Sequence, residues 1–278
     1  MVTGKAKVAG VMGWPVGHSR SPRLHGYWLD RYAVDGAYVP LPVTPENLGP
    51  AVRGLAALGF AGANLTIPHK EAVMPLLDSV DETARRIGAV NTIVVGPDGE
   101  LAGSNTDAYG FIENLRAGAP AWRAAAGPAV IIGAGGAAKA VAVALAEAGV
   151  AEIRIVNRTE ARARALAETV GASTVAWDAR RTALDGAALV VNASALGMTG
   201  QPPLDLDLSA LPKTAVVNDI VYAPLETPLL AAARARGHPV VDGIGMLLHQ
   251  GRPGFRAWFG VDPAVDDALR AHVLGGAT

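Results

Sequence analysis

Four short polar segments stand where apolar, strand-like runs begin or end. Asn64, Thr66 and Lys70 lie at the end of the run 62–67, and Asp107 closes the segment 103–107. The other two segments are 17–22 and 89–92. One lysine and one aspartate among short hydroxyl and amide side chains are suited to moving a proton on a small polyhydroxylated ligand. Each residue taken alone is better explained by a structural role such as a helix cap.

A glycine-rich segment forms a second chemical pattern. Gly133, Gly135 and Gly136 lie between the apolar run 129–132 and the alanine-rich helical pattern 139–149. Glycines between a strand and a helix let backbone N–H groups approach a phosphate at the positive end of the helix. The segment therefore predicts a dinucleotide site.

The next strand-like run indicates which dinucleotide is bound. It ends in Asn157, Arg158 and Thr159, where an NAD-binding domain has a carboxylate for the ribose hydroxyls. An arginine attracts a 2′-phosphate instead, and Arg162 stands one helical turn further on. We therefore predict NADP as the cofactor.

Apolar runs and helical patterns alternate almost throughout the chain. This rhythm is typical of an α/β fold with mostly parallel sheets. Because 278 residues exceed the length of a typical single domain, we expect two domains. Residues 1–107 with 243–278 are predicted to form an α/β substrate-binding domain, because the last helical pattern needs an apolar surface. Residues 108–242 are predicted to form a Rossmann-like NADP-binding domain.

Composition narrows the function classes. The net charge is −1 and charged residues make up 18%, so neither a nucleic-acid partner nor a membrane surface is expected. The absence of cysteine excludes thiol nucleophiles and disulfides, and the six histidines lack ligand spacing, so we expect no metal. No apolar run is long enough to span a membrane, and the first residues are a poor signal peptide. We expect a cytoplasmic protein.

Taken together, the motifs resemble the shikimate dehydrogenase family. The matching stretches, spread over most of the chain in the family's order, are GHSRSPRLH, GANLTIPHKE, GAVNTIV, GSNTDAYGF, IIGAGGAAKA, NRT, VVNASALGM, DIVYAPLETPLL and GMLLHQ. The resemblance implies reversible NADPH-dependent reduction of 3-dehydroshikimate to shikimate, in chorismate and aromatic amino acid biosynthesis. Members of the family occur as monomers and dimers, and we favour a homodimer.

The resemblance also implies residue roles. The catalytic pair is Lys70, as acid and base, with Asp107 positioning it and the substrate hydroxyl. The substrate carboxylate falls to Ser19 and Ser21, and the remaining substrate contacts fall to Thr66, Asn91, Tyr222 and Gln250. The cofactor positions are Gly133, Ala134, Gly135, Gly136, Ala137, Asn157, Arg158, Thr159, Arg162, Ile220, Gly243 and Met246.

Three alternatives are weighed against this interpretation. A paralogue acting on quinate or an aminoshikimate remains open, because Trp14 stands near the carboxylate-binding serines where the family has a small polar residue. A non-catalytic NADP-sensing regulator is expected to lose Lys70 or Asp107, and both are present. A methylenetetrahydrofolate dehydrogenase has no obvious use for the two serines.

Overall fold

The structure, a computed structural model, describes residues 2–275 as two compact units, each built on its own six-stranded sheet. The first unit comprises the residues up to Thr106 and those from Leu248 onward, and the second comprises Asp107–Leu247. The predicted α/β class with mostly parallel sheets is confirmed. The assignment of substrate to one domain and NADP to the other stays a prediction.

The first sheet contains one reversed strand. Its members are β1 (Lys7–Gly13), β2 (Gly36–Pro42), β3 (Phe60–Leu65), β4 (Ser79–Val80), β5 (Thr92–Val95) and β6 (Leu101–Ser104). They lie in the order β2-β1-β3-β5-β6-β4. β5 pairs antiparallel with both β3 and β6, whereas the other pairs are parallel. The start of β5 therefore lies at the same edge of the sheet as the ends of its neighbours.

The second sheet is parallel throughout. Its members are β7 (Ala129–Ile132), β8 (Ile153–Val156), β9 (Ser173–Val175), β10 (Leu189–Asn192), β11 (Val216–Asp219) and β12 (Val240–Val241). The order β12-β11-β10-β7-β8-β9 is that of dinucleotide-binding sheets. The strand order reverses between β7 and β10, and ligands bind beyond the carboxyl ends of strands at such a point. The core of this unit includes the fully buried Val130, Val190 and Val217.

Capping residues set the ends of several helices. The helices are α1 (Ser21–Arg31), α2 (Leu48–Ala57), α3 (His69–Ala72), α4 (Glu82–Ile87), α5 (Asp107–Gly118), α6 (Gly136–Glu147), α7 (Glu160–Val170), α8 (Pro228–Ala235), α9 (Ile244–Phe259) and α10 (Asp267–Leu274). At the start of α4, Asp81 accepts a hydrogen bond from Ala84 N at 2.6 Å. Gly88 ends that helix with φ of 73°. Asp266 caps α10 in the same way as Asp81 caps α4.

Aromatic residues from both ends of the chain meet in the core of the first unit. Trp258 of α9 is 1% exposed, and its indole N–H donates to Ile93 O at 2.9 Å. Gly62 makes room for this ring, because a Cβ there would lie 2.2 Å from Trp258 Nε1. Trp28 of α1 donates to Ala264 O at 3.0 Å. Helix α9 thus packs on the first sheet, and the segment before α10 is bonded to α1.

Candidate functional site

Polar side chains of the first unit collect at one edge of its sheet. Thr66 follows β3, Asn105 and Thr106 follow β6, and Asn91 precedes β5. Because β5 runs against its neighbours, its first residue stands level with their last ones: Thr92 pairs with Asn64 on one side and with Ser104 on the other. The reversal therefore brings Asn91 to the edge that carries the other polar segments.

A buried chain of hydrogen bonds connects several of these residues. Tyr38 of β2 hydrogen bonds the Ser21 side chain and donates to Asn64 Oδ1 at 2.6 Å. Asn64 Nδ2 donates in turn to Asn91 O at 3.1 Å and to Thr92 Oγ1 at 3.0 Å. All five side chains are buried. These hydrogen bonds thus connect Ser21, at the start of α1, to Asn91 and to the first residue of β5.

Asn91 has a fixed amide orientation. Its Oδ1 accepts hydrogen bonds from Thr92 Oγ1 at 2.9 Å, Thr106 N at 2.8 Å and Thr106 Oγ1 at 3.1 Å. Thr106 Oγ1 also lies 3.5 Å from Gln250 Oε1. Only an amide oxygen can accept from the backbone N–H, so Asn91 must turn its NH₂ group the opposite way. Asn91 and Gln250, both predicted substrate contacts, are thereby brought together with Ser21 in one network.

Tyr38 is a member of this network that the sequence did not single out. Burial raises the pKa of its hydroxyl well above the ordinary value, so the hydroxyl stays protonated and can donate. His25 stacks on the Tyr38 ring with centroids 4.0 Å apart, and burial lowers the pKa of His25 to about 3. The cluster is therefore uncharged near neutral pH. In the sequence, the only indication of such a role is the hydroxyl of Tyr38 within the otherwise apolar run AYVPLPV.

Removing the Tyr38 hydroxyl is expected to destabilise the protein. In Tyr38→Phe, Asn64 Oδ1 is left buried without its donor, which costs about 1–3 kcal/mol in the free energy of unfolding. Urea denaturation measures this difference. Tyr32→Phe is the matched control, because the Tyr32 hydroxyl accepts from Ala264 N in an exposed setting. Equally small losses of stability in both variants would show that the buried hydrogen bonds of Tyr38 and Asn64 do not stabilise the fold.

The two serines predicted to bind a carboxylate lie at the start of α1. Ser19 Oγ accepts from Ser21 N at 3.3 Å. No side-chain cap from the N-cap residue, Arg20, closes the helix. The Ser21 hydroxyl is directed to Tyr38 rather than to its own helix. The capping interpretation thus fits Ser19 and not Ser21.

Lys70 is held by its backbone and by its neighbour. It is the second residue of the single-turn helix α3, and its carbonyl accepts from Val90 N at 2.8 Å. His69 anchors the turn: it is 1% exposed, its N–H donates to Thr66 O at 2.9 Å, and its ring Nε2 lies 2.7 Å from Val43 O. The Lys70 side chain remains partly exposed. The backbone of Lys70 is therefore held in place, while its partly exposed side chain can reach a ligand.

In the second unit, the glycine loop connects β7 to α6. Gly133 has φ of +123°, and a Cβ there would lie 2.7 Å from Ala193 O, so this position requires glycine. Gly135 and Gly136 are exposed at the N-terminus of α6, and a Cβ on either would meet nothing within 4 Å. Packing does not explain these two glycines, whereas close approach of a phosphate to their N–H groups does. Ala134 and Ala137 complete the loop and are partly exposed.

The end of β8 carries uncompensated positive charge. Asn157 Nδ2 donates to Thr159 O at 2.9 Å, which closes the turn into α7. Arg158 and Arg162 are exposed and form no ion pair or hydrogen bond through their side chains within residues 2–275. The nearby Glu160 is engaged with Arg164 at 2.5 Å. The residues present thus fit the adenosine half of NADP, with arginines where a 2′-phosphate would stand.

The remaining predicted residues of the second unit lie after its strands or in the first turns of helices. Ile220 N donates to Asn192 O at 3.0 Å, and Gly243 is required against it, because a Cβ there would lie 2.3 Å from Ile220 O. Met246 is buried in the first turn of α9, and Tyr222 is partly buried three residues beyond β11. Asp107 is the first residue of α5 and partly buried.

Asp219, at the end of β11, is a buried carboxylate that the sequence did not single out. It is 0% exposed and accepts from Asn192 Nδ2 at 3.0 Å, Val221 N at 3.0 Å and Thr227 Oγ1 at 2.7 Å. Burial raises its pKa from the ordinary value of 3.8 to about 6, and the three donors oppose that rise. In the sequence, Asp219 ends an apolar run and begins the family stretch DIVYAPLETPLL, but no role was assigned to it.

A pH-dependent stability follows from Asp219. Because the folded state binds this proton more tightly than the unfolded state, stability falls as pH rises from about 4 to about 6. Relative to Asp219→Asn, the wild type should lose on the order of 2–3 kcal/mol over that interval. Thermal or urea unfolding at several pH values measures it.

Asp207 offers a control of opposite sign. Hydrogen bonds from the backbone and side chain of Ser209 lower the pKa of Asp207, so its contribution is lost as pH falls. The wild type should therefore gain stability relative to Asp207→Asn as pH rises. Slopes of the same sign for both pairs of proteins would contradict the assignment to Asp219.

Neither a metal-binding group of side chains nor a membrane-spanning helix is found among the described residues. Within residues 2–275, no three histidine, aspartate or glutamate side chains come together as a metal-binding group. None of the helices in that range is both long and apolar enough to cross a membrane.

A dinucleotide-type sheet, its glycine loop and the arginines beyond β8 define the class of nucleotide-dependent α/β oxidoreductases. Family models place the chain more closely. They match residues 11–93 as the shikimate dehydrogenase substrate binding domain, residues 122–197 as shikimate / quinate 5-dehydrogenase, and residues 243–271 as the shikimate 5′-dehydrogenase C-terminal domain.

Individual relatives agree with the family models. The chain is 63% identical to the shikimate dehydrogenase (NADP(+)) of Rhodospirillum rubrum, over 99% of each chain. The shikimate 5-dehydrogenase of Thermus thermophilus, solved in complex with NADP(H) and shikimate, shares 39% identity and a TM-score of 0.86, over 98% of this chain and 100% of that one. The chain therefore belongs to the shikimate dehydrogenase family, and the resemblance seen in the sequence is confirmed.

The family fold also carries a neighbouring activity. The quinate dehydrogenase of Corynebacterium glutamicum, solved in complex with NAD, shares 34% identity and a TM-score of 0.90, over 97% of this chain and 99% of that one. The fold alone therefore does not separate shikimate from quinate, and the site residues must be used for that purpose.

Proposed function

We propose that this protein catalyses the reversible NADPH-dependent reduction of 3-dehydroshikimate to shikimate, in chorismate and aromatic amino acid biosynthesis. The observation that carries the proposal is kinship along nearly the whole chain with NADP(+)-dependent shikimate dehydrogenases. The chain also keeps Lys70 and Asp107, which a non-catalytic regulator has no need to retain.

Lys70 is proposed as the acid and base. It takes the proton of the substrate hydroxyl when shikimate is oxidised, and it returns a proton to the carbonyl oxygen when 3-dehydroshikimate is reduced. Asp107 is proposed to orient the Lys70 amine and the substrate hydroxyl. NADP supplies the hydride acceptor or donor when bound. The fixed backbone of α3 supports this role, because a proton donor must be held within hydrogen-bond reach of its partner.

Ser19 and Ser21 are proposed to hold the substrate carboxylate, and Thr66, Asn91, Tyr222 and Gln250 to hold its hydroxyls. The buried hydrogen bonds around Asn91 support this proposal. A ligand that meets pre-oriented polar groups loses less free energy on binding than one that must order them.

For the cofactor, the pyrophosphate is proposed to bind at residues 133–137 and the 2′-phosphate at Asn157, Arg158, Thr159 and Arg162. Ile220, Gly243 and Met246 are proposed to border the nicotinamide. The uncompensated charge of the two arginines supports NADP over NAD, because it would otherwise be left without a partner.

Initial rates of NADPH formation test the proposal. Purified protein is assayed with shikimate and NADP+, and in parallel with quinate or with NAD+. A high kcat/KM with shikimate and NADP+, and weak use of the other two, is expected. Robust quinate turnover would favour the second candidate, a quinate or shikimate dehydrogenase. The fold shared with the NAD-bound quinate dehydrogenase supports that candidate. Absence of turnover with tight NADP+ binding would contradict both.

We propose further that the protein acts in the cytoplasm and as a homodimer. The lack of cysteine fits a reducing compartment. Light scattering coupled to size exclusion distinguishes a dimer from a monomer, and cell fractionation tests the location.

A further inference from the structure

The carboxylate of Asp219 organises two loops and a helix of the second unit. Its Oδ1 accepts from Asn192 Nδ2 and from Val221 N, and its Oδ2 accepts from Thr227 Oγ1. Thr227 in turn accepts from Leu230 N at 3.3 Å, which caps α8. One buried group therefore fixes the segment that follows β11 and the start of the helix after it.

The same network reaches the loop after β10. Asn192 Nδ2 donates to Leu196 O at 2.9 Å as well as to Asp219. Asn192 Oδ1 accepts from Ser194 N at 3.1 Å and Ser194 Oγ at 2.7 Å. Both loops lie at the carboxyl ends of adjacent strands, beside the point where the sheet order reverses. Ligands of such sheets bind at that edge.

A buried carboxylate is costly to the fold, as the raised pKa of Asp219 shows. An apolar residue of similar size would leave Val221 N without an acceptor and Asn192 Nδ2 with Leu196 O as its remaining acceptor. Position 219 therefore requires a side-chain oxygen that can accept hydrogen bonds, as Asp219 Oδ1 does. Its effect is to hold Val221, directly between Ile220 and Tyr222.

We propose that Asp219 is a positioning residue that fixes Ile220–Tyr222 so that the Tyr222 hydroxyl meets the substrate. The inference rests on the proposed function, because it is the assignment of Tyr222 to substrate binding that gives the segment a task. Asp219 itself touches neither substrate nor cofactor in this proposal. It acts through the Val221 N–H and through the cap of α8.

The geometry separates three variants. In Asp219→Asn, the retained Oδ1 can accept both hydrogen bonds, and Nδ2 can donate to Thr227 Oγ1 once that hydroxyl turns. Asp219→Ala removes every acceptor. Asp207→Ala is the matched control, because Asp207 also accepts from a backbone N–H and a hydroxyl, both of Ser209, in an exposed setting of the same unit.

The first test needs no substrate. Amide hydrogen exchange of the segment 219–223 is measured for the wild type and the three variants. Asp219→Ala is expected to speed exchange in this segment by about 10-fold or more, because the Val221 N–H loses its acceptor. Asp219→Asn and Asp207→Ala should leave it within about 3-fold of the wild type. Unchanged exchange in Asp219→Ala would overturn the structural half of the proposal.

The second test is a double-mutant cycle on the KM for shikimate. Asp219→Ala and Tyr222→Phe are each expected to raise this KM by about 5- to 20-fold. The double variant should raise it no further than about 2-fold beyond Tyr222→Phe alone, because the two changes disable the same contact. Asp219→Asn should restore the KM to within about 3-fold of the wild type.

Controls and outcomes keep the possibilities apart. Binding of adenosine 2′,5′-bisphosphate, measured by calorimetry, should be unchanged in every variant, which verifies that the unit has folded. Fully multiplicative effects of Asp219→Ala and Tyr222→Phe would overturn the proposal and leave Asp219 with a structural role only. If the wild type turns over no shikimate while exchange responds as expected, the proposed function fails and the positioning of the segment stands.

Discussion

Replacing Lys70 by methionine is expected to lower kcat for shikimate oxidation by about 10³-fold, because general acid and base groups contribute factors of this order. Methionine keeps an unbranched side chain and removes only the amine. The KM for shikimate should change little, since the proton moves in the transition state. Steady-state rates with saturating NADP+ measure both constants.

Lys7→Met is the matched control for this change. Lys7 is exposed at the first residue of β1, so it lies at the amino edge of the same sheet, away from the polar segments. It should retain wild-type kcat. A Lys70→Met variant with kcat within about 3-fold of the wild type would refute the assignment of the acid and base.

The second large effect is expected at Arg158. Arg158→Ala should raise the KM for NADP+ by about 10- to 100-fold, the range for losing a charge-assisted hydrogen bond, while the constants for NAD+ stay unchanged. Adding Arg162→Ala should raise the KM for NADP+ further. The ratio of kcat/KM for the two cofactors is the measured quantity.

Arg164→Ala provides the comparison on the same helix. Arg164 is exposed and already paired with Glu160, so its loss should leave the cofactor ratio unchanged. Equal losses with NADP+ and NAD+ in Arg158→Ala would show that this arginine serves the fold and not the 2′-phosphate.

The sequence predicted most strands of both sheets, but neither sheet in full. Buried parallel strands such as 129–132 and 189–192 read as continuous apolar runs, so their positions are visible in the sequence. The reversed direction of β5 was not predicted, because an apolar run looks alike in either direction. The short strands β4, β6, β9 and β12 were also missed, since runs of two to four residues carry little periodicity.

Some residues of the candidate site could be predicted from the sequence, and others could not. The glycine loop and Arg158 could be predicted because each has a local pattern tied to a strand end. Tyr38 and Asp219 could not, because their partners are distant in the sequence: Tyr38 bonds Asn64, and Asp219 bonds Asn192. A hydrogen bond between residues 26 or 27 positions apart leaves no trace in local periodicity. The roles of the predicted residues in catalysis stay predictions.

The reversal of β5 also determines where the chain tolerates change. Its turn into β6, closed by Gly96 N to Glu100 O at 2.9 Å, lies at the opposite edge of the sheet from Asn91 and Thr106. Asp98 at its tip is exposed. Insertions and new chain termini are accepted most readily at exposed turns of this kind. This hairpin is therefore the place in the first unit where a reporter domain or a circular permutation can be introduced while the polar edge is left intact.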